Sequence, residues 1–435
     1  MNYSDTLDFL YSSLPMYQRI GKAAYRSDLD NTIRLDNYFG KPHRAFNTIH
    51  IAGTNGKGSV SHILASVLQS AGYKTGLYTS PHFIDFRERI RVNGELAEKE
   101  YIVDFVKDNR DIIQKLEPSF FEMTVAMAFL YFKQKNVDVA VIETGMGGRL
   151  DSTNIVTPLL SVITNIGFDH TQYLGNTLEK IAAEKAGIIK NQVPVVIGQT
   201  GKEVRKVFNA KAREMDADIY FADDNFSVEK VAKGHNKYEQ VFNIYRNGLP
   251  FVEDLYTDLT GDYQALNIIT FMQAFELMKN SLELNTDSLR SGVGHVKENT
   301  GLMGRWQIMR KSPLVICDSA HNYDGLSYAI SQLMKMKGGK LHFIIGMVND
   351  KDVDSILGLF PDDAEYYFTR ASIPRALDHE ILRGKAIQYS LRGNAFHSVG
   401  DAYNSALSNA EAGDIIFIGG SIFVVADFLK NFSSK

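Results

Sequence analysis

The stretch of sequence that decides the fold is His50-Ile51-Ala52-Gly53-Thr54-Asn55-Gly56-Lys57-Gly58-Ser59. It begins in a short apolar run, Thr48–Ala52, and ends where an amphipathic segment, Ser59–Ala71, begins. Glycines let the backbone turn tightly and direct its N–H groups at phosphate oxygens, and the N-terminus of a helix adds partial positive charge. The pattern therefore predicts a strand, a phosphate-binding loop and a helix, in that order.

The polar residues of this loop have predicted roles of their own. Lys57 is expected to neutralise the outer phosphates, and Ser59 to offer an oxygen to Mg²⁺. The common pattern places the lysine directly before the serine or threonine, whereas Gly58 separates them in this chain. A glycine-rich turn that only links a strand to a helix is the alternative. The residues predicted to bind phosphate are Thr54, Asn55, Gly56, Lys57, Gly58 and Ser59.

Short, continuous apolar runs alternate with amphipathic segments further along the chain. Such runs are typical of parallel strands buried on both faces, so an α/β, doubly wound, mostly parallel sheet is predicted. The further strands are expected at Gly76–Thr79, Asp138–Glu143, Leu159–Thr164 and Pro194–Gly198, with helices at Met123–Gln134 and Leu178–Ala186. In Asn225–Leu255 polar and apolar residues mix more closely, which predicts a small antiparallel patch attached to this sheet. Helices are expected to follow at Tyr263–Met278 and Asp287–Val296.

A second alternation of strands and helices occupies the C-terminal part of the chain. Its predicted strands are Leu314–Cys317, His342–Gly346, Glu365–Thr369 and Asp414–Ile418. This tail is long enough to form a domain of its own, a second and smaller α/β domain of Rossmann-like type. The polar stretch Lys297–Gly304 is interpreted as the linker, so the predicted domains are residues 1–297 and 298–435.

Three further residues could act together with the phosphate loop. Glu143 ends a predicted strand, and sites in open α/β sheets form beyond the carboxyl ends of strands. Its carboxylate suits Mg²⁺, although an acidic loop residue in solvent is the alternative. His170 follows the end of the next strand, as a metal ligand or as a structural histidine. Lys185 lies near a helix end, where a surface cation is the ordinary explanation.

The composition excludes several classes of protein. The 435 residues are 44% hydrophobic and 23% charged, as is usual for a soluble globular protein. A single cysteine, Cys317, permits no intramolecular disulfide and no zinc site built from several cysteines. The net charge of −4, without a basic cluster, argues against nucleic acid as a partner. The start does not resemble a secretory leader, and no run approaches the ~20 apolar residues of a membrane helix.

A series of motifs stands in order along nearly the whole chain. They are Gly53–Ser59, Tyr78–His82, Glu88–Gly94, Glu143–Asn154, Asp169-His170, Glu184–Ile188, Gly304–Trp306, Asp318–Asn322 and Asp350–Asp352. In this series the chain resembles the folylpolyglutamate synthase and dihydrofolate synthase family of the Mur ligase superfamily. Gly58, which departs from the general phosphate-loop pattern, is what this family shows.

The resemblance implies roles that the residues alone do not establish. It implies an ATP-dependent ligase that adds L-glutamate to folates, including tetrahydrofolate, through an acyl phosphate. The implied magnesium ligands are Ser80, Glu143 and His170, with Ser59 near a second, nucleotide-bound ion. Lys185 matches a lysine that is carbamylated in the superfamily. Asn267, Arg305 and Asp318, with His321 close by, match ATP-binding positions, and the implied catalytic residues are Lys57, Glu143, His170 and Lys185.

The resemblance also implies dihydropteroate as a second acceptor. Asp28, Leu29, Asp30 and Asn31 are similar to an acidic segment that precedes the phosphate loop in bifunctional relatives. Ser119, Phe120, Phe121, Leu150 and Asp151 fall at positions implied to contact the pterin. Aromatic rings can pack on a flat heterocycle, although Phe120 and Phe121 could equally be core residues that open a helix. A cytoplasmic monomer is expected.

Two other functions remain open at this point. A ligase of the same superfamily could act on a cell-wall precursor, but the Tyr78–His82 segment and the Gly56–Ser59 ending favour folate. A phosphate-loop NTPase could instead use ATP to drive a conformational switch. That function would leave the second α/β domain, with Asp318 and His321, without a role.

Overall fold

The computed structural model describes residues 1–16, 28–231 and 239–432, which form two compact units. The first unit consists of Met1–His82, Phe86–Asp258 and Gln264–Leu302. The second unit consists of Phe83–Asp85, Leu259–Tyr263 and Met303–Lys435.

An eight-stranded sheet forms the centre of the first unit, in the order β4-β3-β2-β5-β1-β6-β7-β8. Its strands are β1 (Asn47–Ala52), β2 (Thr75–Tyr78), β3 (Ile90–Val92), β4 (Glu95–Leu96), β5 (Val139–Glu143), β6 (Leu160–Asn165), β7 (Val195–Gln199) and β8 (Ile219–Phe221). All neighbours pair in parallel except β3 and β4, which add an antiparallel edge. The five predicted strands are confirmed to within one residue at each end. β3, β4 and β8 were not predicted, because two or three residues are too few to show a pattern.

Helices cover both sides of the central strands, as continuous apolar strands require. In the first unit they are Tyr3–Ser13, Asp30–Tyr38, Lys57–Ser70, Lys99–Asp108, Arg110–Leu116, Phe120–Gln134, Thr171–Leu174, Leu178–Ala186, Lys202–Glu214, Ala222–Asn225, Gln264–Met278, Thr286–Gly294 and Val296–Thr300. Every residue of β5 is buried, and so is every residue of β1 after Asn47. The helix Lys57–Ser70 is also buried over most of its length, which explains why its sequence is apolar on more than one side.

The antiparallel segment forms a separate sheet, which corrects the prediction that it is attached to the first one. Its strands are β9 (Phe226–Val231), β10 (Gln240–Arg246) and β11 (Leu249–Thr257), in the order β11-β10-β9. Within the described residues no strand of this sheet pairs with the large sheet. The turn Asn247-Gly248, with φ of 51° and 77°, closes a local hairpin. A hairpin can satisfy its own hydrogen bonds, so the segment needs no strand of the parent sheet.

The second unit contains a six-stranded sheet in the order β12-β13-β17-β14-β15-β16. Its strands are β12 (Gln307–Lys311), β13 (Leu314–Cys317), β14 (Leu341–Ile345), β15 (Glu365–Thr369), β16 (Gly393–Phe396) and β17 (Ile415–Gly419). Only β12, at one edge, is antiparallel to its neighbour. The helices of this unit are Tyr323–Met336, Val353–Leu357, His379–Ala386, Val399–Asn409 and Ile422–Phe432. The predicted α/β architecture and its four strands are confirmed, and β12 and β16 are additional.

The predicted linker Lys297–Gly304 is wrong in its first half. The helix Val296–Thr300 occupies that half and belongs to the first unit, whose last segment ends at Leu302. Thr300 is buried, and its hydroxyl lies 2.7 Å from Nδ1 of His62. The segment is polar because its side chains bind other polar groups within the unit, which composition alone does not distinguish from solvation. Within the parts of the chain that the structure describes, no helix is long and apolar enough to cross a membrane.

Candidate active site

Three neighbouring strands of the first unit end at the same edge of the sheet. β1 pairs in parallel with β5 on one side and with β6 on the other. The phosphate loop follows β1, the loop Thr144–Asp151 follows β5, and the segment that contains His170 follows β6. This is the edge at which open α/β sheets bind their ligands, and the strand order brings the phosphate loop, Glu143 and the segment of His170 to it.

Gly53 and Gly56 leave no room for a side chain, because atoms of other residues lie too close to their Cα atoms. Gly53 has φ of +150°, and a Cβ there would lie 1.9 Å from the Thr164 hydroxyl oxygen. Gly56 has φ of +84°, and its Cβ would lie 2.3 Å from Oδ1 of Asn267. The helix begins immediately afterwards at Lys57, so the predicted order of strand, loop and helix is confirmed.

Thr164 and Asn165, at the end of β6, hold the loop in shape. The Thr164 hydroxyl donates a hydrogen bond to the carbonyl oxygen of Asn55 over 2.6 Å. The N–H of Asn55 donates to Oδ1 of Asn165 over 2.7 Å, and the N–H of Thr54 donates to the backbone oxygen of Asn165 over 3.0 Å. Neither residue was predicted to belong to the site. The sequence feature that could have indicated them is a pair of polar residues at the end of an apolar run.

Lys57 and Lys185 meet at the beginning of the loop. Nζ of Lys57 donates to the carbonyl oxygens of Gly53 (3.1 Å) and Thr54 (3.2 Å), and Nζ of Lys185 donates to the same oxygen of Gly53 over 2.9 Å. Lys185 is only 3% exposed, so the explanation as a surface helix lysine is wrong. Burial, and then the charge of Lys57, lower the pKa of Lys185 to about 7.

The hydroxyl of Ser59 is buried beneath the loop. It accepts a hydrogen bond from Nε2 of Gln264 over 3.2 Å, and Oε1 of Gln264 accepts one from Asn267 over 2.7 Å. Asn267 was predicted to bind ATP, and the structure places its side chain against Gly56. Gln264 was not predicted, because a glutamine at the start of an apolar helix has no distinctive pattern.

Glu143 carries a buried carboxylate at this edge. It is 3% exposed, and its Oε2 lies 3.4 Å from the backbone N–H of Ser80. Among the residues that the structure describes, no three His, Cys, Asp or Glu side chains are grouped to hold a metal ion. Mg²⁺ does not require such a group, because it commonly takes one or two carboxylates and completes its shell with water and phosphate oxygens. Glu143 beside a phosphate loop fits that chemistry.

His170 lies in the segment that follows β6. Its backbone has φ of +50°, and its N–H donates to Oδ1 of Asp169 over 2.7 Å. The ring is about one quarter exposed, and its Nε2 lies 3.9 Å from the same oxygen. An imidazole beside a carboxylate can bind a metal ion. The role of His170 as a magnesium ligand stays a prediction.

The loop after β5 is folded around Asp151. Oδ2 of Asp151 accepts hydrogen bonds from the N–H groups of Gly145 (2.8 Å) and Met146 (2.9 Å). Oδ1 accepts from the N–H (3.0 Å) and the hydroxyl (2.6 Å) of Thr153. Both carboxylate oxygens are therefore engaged within the loop, a structural role that was not predicted. The contacts of Asp151 and the half-buried Leu150 with a pterin stay predictions.

Ser119, Phe120 and Phe121, which were all predicted to contact a pterin, differ in burial and in their contacts within the protein. Ser119 caps the helix Phe120–Gln134, in a capping box with Glu122. Phe120 is 3% exposed and packs against Tyr11, as the core alternative expects.

Phe121 is only half-buried, and it lies nearer to the strand ends. Its ring packs against Tyr78, and a Cβ on Gly145 would lie 2.5 Å from its edge. Of the two aromatic rings, that of Phe121 is therefore the less buried, and its contact with a pterin stays a prediction.

The acidic segment before the phosphate loop opens the helix Asp30–Tyr38. Asp28 and Asp30 are exposed, and Oδ1 of Asp28 accepts from the N–H of Asp30 over 3.0 Å. Leu29 is half-buried, and Asn31 donates to the carbonyl oxygen of Leu116 over 3.1 Å. These contacts fix the local turn, and the predicted contact of the segment with a substrate stays a prediction.

The second unit contains three residues that were predicted to bind ATP. Oδ2 of Asp318 accepts hydrogen bonds from the Tyr263 hydroxyl and the Trp306 N–H, both over 2.6 Å, and Oδ1 accepts from the Ala320 N–H over 2.8 Å. Asp318 thus connects three segments of this unit, and burial raises its pKa.

Arg305 and His321 both contact Ser319. Arg305 donates to the Ser319 hydroxyl, and Nδ1 of His321 lies 2.9 Å from the Ser319 carbonyl oxygen. The three predicted residues therefore cluster within the second unit.

Two protein-family models match the chain. The model described as Mur ligase middle domain matches residues 51–274, and the model described as Mur ligase, glutamate ligase domain, matches residues 304–422. The first match contains the phosphate loop and the loops after β5 and β6. The second match contains the six-stranded sheet.

Curated relatives are similar over most of the chain. A Bacillus subtilis protein named dihydrofolate synthase/folylpolyglutamate synthase is 33% identical over 90% of this chain and 91% of its own length. A folylpolyglutamate synthase of Lacticaseibacillus casei is 35% identical over 81% of each chain. A probable bifunctional folylpolyglutamate synthase/dihydropteroate synthase of Haloferax volcanii is 31% identical over 98% of this chain. The chain spans only half the length of that last relative.

Solved structures agree with these relatives. A Mycobacterium tuberculosis folylpolyglutamate synthase in complex with ADP and AMPPCP has a TM-score of 0.88 and 30% identity, and the match covers 99% of both chains. An Escherichia coli FolC in complex with DHPP and ADP has a TM-score of 0.86 and 27% identity, over 100% of this chain and 98% of that one. Fold, site and matched domains define a Mur-type ligase, an ATP-dependent enzyme that forms amide bonds. Within that class, the chain belongs to the folylpolyglutamate synthase and dihydrofolate synthase family.

Proposed function

We propose that this ligase joins L-glutamate to folates at the expense of ATP, and that dihydropteroate is a second acceptor. The observation that carries the proposal is the arrangement of Gly53–Ser59 and Glu143 on neighbouring strand ends, in a chain that also has a glutamate-ligase domain. Relatives that are 32% to 33% identical over 87% to 90% of this chain are named for both activities. The family match therefore favours folate over a cell-wall precursor, and an acceptor-dependent ligase over a switch.

The proposed reaction has two steps. The γ-phosphate of ATP passes to the carboxylate of the acceptor, which gives an acyl phosphate and ADP. The amino group of glutamate then attacks the acyl carbon, and phosphate leaves as the amide forms. Such transfers depend on positioning and on neutralisation of charge more than on covalent help from the protein. Lys57 and the N–H groups at the start of the following helix would bind the phosphates.

Magnesium ions would be held by Glu143, His170 and Ser80 at one position and by Ser59 at another. Mg²⁺ supplies positive charge between the anionic acceptor and the phosphates when it is bound. Glu143 would hold one such ion with its buried carboxylate, together with His170 and Ser80. In a Glu143→Ala variant we expect turnover to be abolished and the fold to be retained. Normal turnover with unchanged magnesium dependence would contradict this assignment.

Lys185 is proposed to carry a carbamate. The modification requires the uncharged amine, and a lysine with a pKa of about 7 has a large uncharged fraction at neutral pH. A carbamate would place an anion where the unmodified residue places a cation, beside the phosphate loop. That change of sign suits a residue that has to help bind Mg²⁺.

The acceptor is proposed to lie near Phe121 and Leu150, both of which are half-buried. The half-buried ring of Phe121 could pack on a pterin, and Asp28, Asp30 and Asn31 could contact the same group. Action as a monomer in the cytoplasm also stays a prediction.

The test is ATP-dependent release of phosphate by the purified protein, with Mg²⁺ and glutamate, in three parallel reactions. One contains dihydropteroate, one contains a tetrahydrofolate, and one contains no pterin. Release with both pterins, each dependent on glutamate, is the expected result. Release with tetrahydrofolate alone would remove the dihydropteroate activity, and equal release without a pterin would overturn the folate proposal.

A further inference from the structure

A histidine of the phosphate-loop strand is connected by hydrogen bonds to the loop that follows β5. His50, in β1, is buried, and its Nε2 lies 2.8 Å from the hydroxyl oxygen of Thr153. That hydroxyl lies 2.6 Å from Oδ1 of Asp151, which is also buried. Three side chains therefore form a chain of hydrogen bonds from β1 to the residue around which the loop is folded.

The direction of each hydrogen bond in this chain is fixed by Asp151. Its two oxygens already accept from three backbone N–H groups, so the carboxylate acts as an acceptor and the Thr153 hydroxyl donates its only proton to it. The Thr153 oxygen must then accept from His50. Burial, and then the charge of Lys190, lower the pKa of His50 to about 3, so the ring is neutral and its proton is on Nε2.

The other nitrogen of the ring indicates that His50 does more than fill the core. Among the residues that the structure describes, Nδ1 of His50 has no hydrogen-bond partner. A buried nitrogen without a partner is unfavourable, and an apolar side chain, such as those of Ile49 and Ile51 on either side, would avoid the cost. The contact with Thr153 is what a histidine provides at this position and an apolar residue does not.

The loop after β5 is attached to β1 at both of its ends. At its beginning the N–H of Thr144 donates to the carbonyl oxygen of Ile51 over 2.9 Å. At its end the contact between His50 and Thr153 holds Asp151. Because β1 continues directly into the phosphate loop, one strand positions both the groups proposed to bind phosphate and the loop beside the proposed acceptor.

The carboxylate of Asp151 also determines the shape of the loop close to the proposed acceptor. Its Oδ2 accepts from the N–H of Gly145 over 2.8 Å, and a Cβ on Gly145 would lie 2.5 Å from the ring of Phe121. The backbone of Gly145 therefore packs directly on that ring. A displacement of Asp151 would move this backbone relative to Phe121.

We propose that His50 is a positioning residue for the acceptor, because through Thr153 it holds Asp151 and the loop beside which the pterin binds. This inference rests on the proposed function, since it takes the place of the acceptor, near Phe121 and Leu150, from it. It adds a residue that acts on acceptor binding from within the core of the sheet, without touching the substrate.

Two substitutions of His50 separate the roles of its two nitrogens. The amide nitrogen of a glutamine reaches the position of Nε2, whereas that of an asparagine reaches only the position of Nδ1, which has no partner. His50→Gln therefore keeps a donor for Thr153, and His50→Asn removes the donor but remains polar. Thr153→Val removes the same hydrogen bond from the other side, and Thr153→Ser keeps it. Thermal melting of the full-length proteins confirms that each variant is folded.

The first measurement is kinetic, at saturating ATP and glutamate. In His50→Asn the KM for a tetrahydrofolate should rise about fivefold, as the loss of one hydrogen bond predicts, and in His50→Gln it should stay within about twofold of the wild type. The Kd for ADP should be the same in both variants. Equal KM values in the two variants would overturn the inference, and so would a Kd for ADP that rises together with KM.

The second measurement is hydrogen–deuterium exchange, which does not depend on turnover. The peptide that covers Thr144–Asp151 should exchange severalfold faster in His50→Asn than in His50→Gln, because its N–H groups lose a firmly held acceptor. The peptide that covers Gly53–Ser59 should exchange equally in the two variants. Equal exchange of the first peptide would overturn the inference, and faster exchange of both peptides would show a general loss of stability instead.

A double variant tests whether the two contacts form one chain. With both His50→Asn and Thr153→Val, KM should not exceed that of Thr153→Val, because the hydroxyl through which His50 acts is already absent. Effects that multiply would overturn the inference. A failure of the proposed function would look different. The wild type would then turn over neither pterin, and a difference in exchange between His50→Asn and His50→Gln would preserve the hold on the loop but remove its role in acceptor binding.

Discussion

Nε of Arg89 donates a hydrogen bond to Nδ1 of His82 over 2.8 Å, while the carbonyl oxygen of Arg89 accepts one from the N–H of Thr79 over 3.2 Å. One residue thus fixes both ends of the segment that contains Ser80, a predicted magnesium ligand. Because an arginine can only donate, Nδ1 of His82 is the acceptor, and the proton of the neutral ring is on Nε2. That nitrogen faces the Tyr11 hydroxyl over 3.3 Å.

Substitution of Arg89 is expected to impair the site more than the fold. Arg89→Met removes the side-chain bond to His82 but leaves the backbone bond to Thr79. We expect kcat to fall by about tenfold or more and the magnesium concentration for half-maximal activity to rise, since a hydrogen bond from a charged group contributes about 1.5–3 kcal/mol. Steady-state kinetics over a magnesium series measure both quantities. Arg89→Lys is the matched control, and a normal magnesium dependence in Arg89→Met would contradict the expectation.

The Thr164 hydroxyl is expected to contribute to nucleotide affinity without touching the nucleotide. Thr164→Val keeps the shape of the side chain but leaves the carbonyl oxygen of Asn55 without its 2.6 Å donor. A hydrogen bond of this kind contributes about 1 kcal/mol, so the Kd for ADP should rise about fivefold. Isothermal titration calorimetry measures it. Thr164→Ser keeps the hydroxyl and should bind normally, and equal affinities of the two variants would refute the role.

Lys185 should make the stability of the unmodified protein depend on pH. Its pKa is about 7 in the folded protein and 10.5 in the unfolded chain, so between these values the unfolded chain binds more protons. The free energy of unfolding should therefore rise from pH 7 towards pH 10.5, and the full penalty of the buried ammonium should apply below pH 7. Lys185→Met lacks this contribution.

Urea denaturation in CO₂-free buffer at several pH values compares the two proteins. The free energy of unfolding of Lys185→Met should exceed that of the wild type most in the most acidic buffer, and the difference should shrink as the pH rises. A difference between the two proteins that does not change with pH would show that Lys185 is not held in this way.

Asp318 should stabilise the second unit more than any one of its partners does. Asp318→Ala removes the acceptor for Tyr263, Trp306 and Ala320 and leaves buried donors unpaired, which we expect to destabilise the unit by about 2–4 kcal/mol. Tyr263→Phe removes one donor and should have an effect of about 1 kcal/mol. Calorimetric unfolding measures both variants. Equal destabilisation would mean that the hydroxyl contact alone accounts for the role of Asp318.

The sequence predicts the sheets well because their central strands are continuous apolar runs. β1, β5 and β6 can each be located from an apolar run of their own, namely Thr48–Ala52, Asp138–Glu143 and Leu159–Thr164. The end of each strand then indicates where side chains meet. Glu143 is predicted for this reason. Whether a polar segment is hydrogen-bonded or solvated is not encoded locally, so the composition of Lys297–Gly304 predicts a linker where the structure has most of the helix Val296–Thr300.

The supporting residues of the site are the part that the sequence does not predict. Thr164, Asn165 and Gln264 act through neighbours that are far away along the chain, and threonine or glutamine at a strand or helix end is common. The burial of Lys185 has the same origin. Nζ of Lys185 lies 2.9 Å from the carbonyl oxygen of Gly53, which is 132 positions away in sequence. The local sequence therefore does not show that this side chain is buried.

Gly148 and Gly187 have a consequence for the mutational tolerance of the chain. A Cβ on Gly187 would lie 2.4 Å from Cα of Arg149, and one on Gly148 would lie 2.8 Å from the carbonyl oxygen of Glu184. The loop after β5 and the end of the helix that carries Lys185 therefore touch backbone to backbone. Neither glycine has the positive φ of Gly53 or Gly56, so a survey of backbone angles would class both as replaceable. A complete substitution library should nonetheless find them as intolerant as the glycines of the phosphate loop.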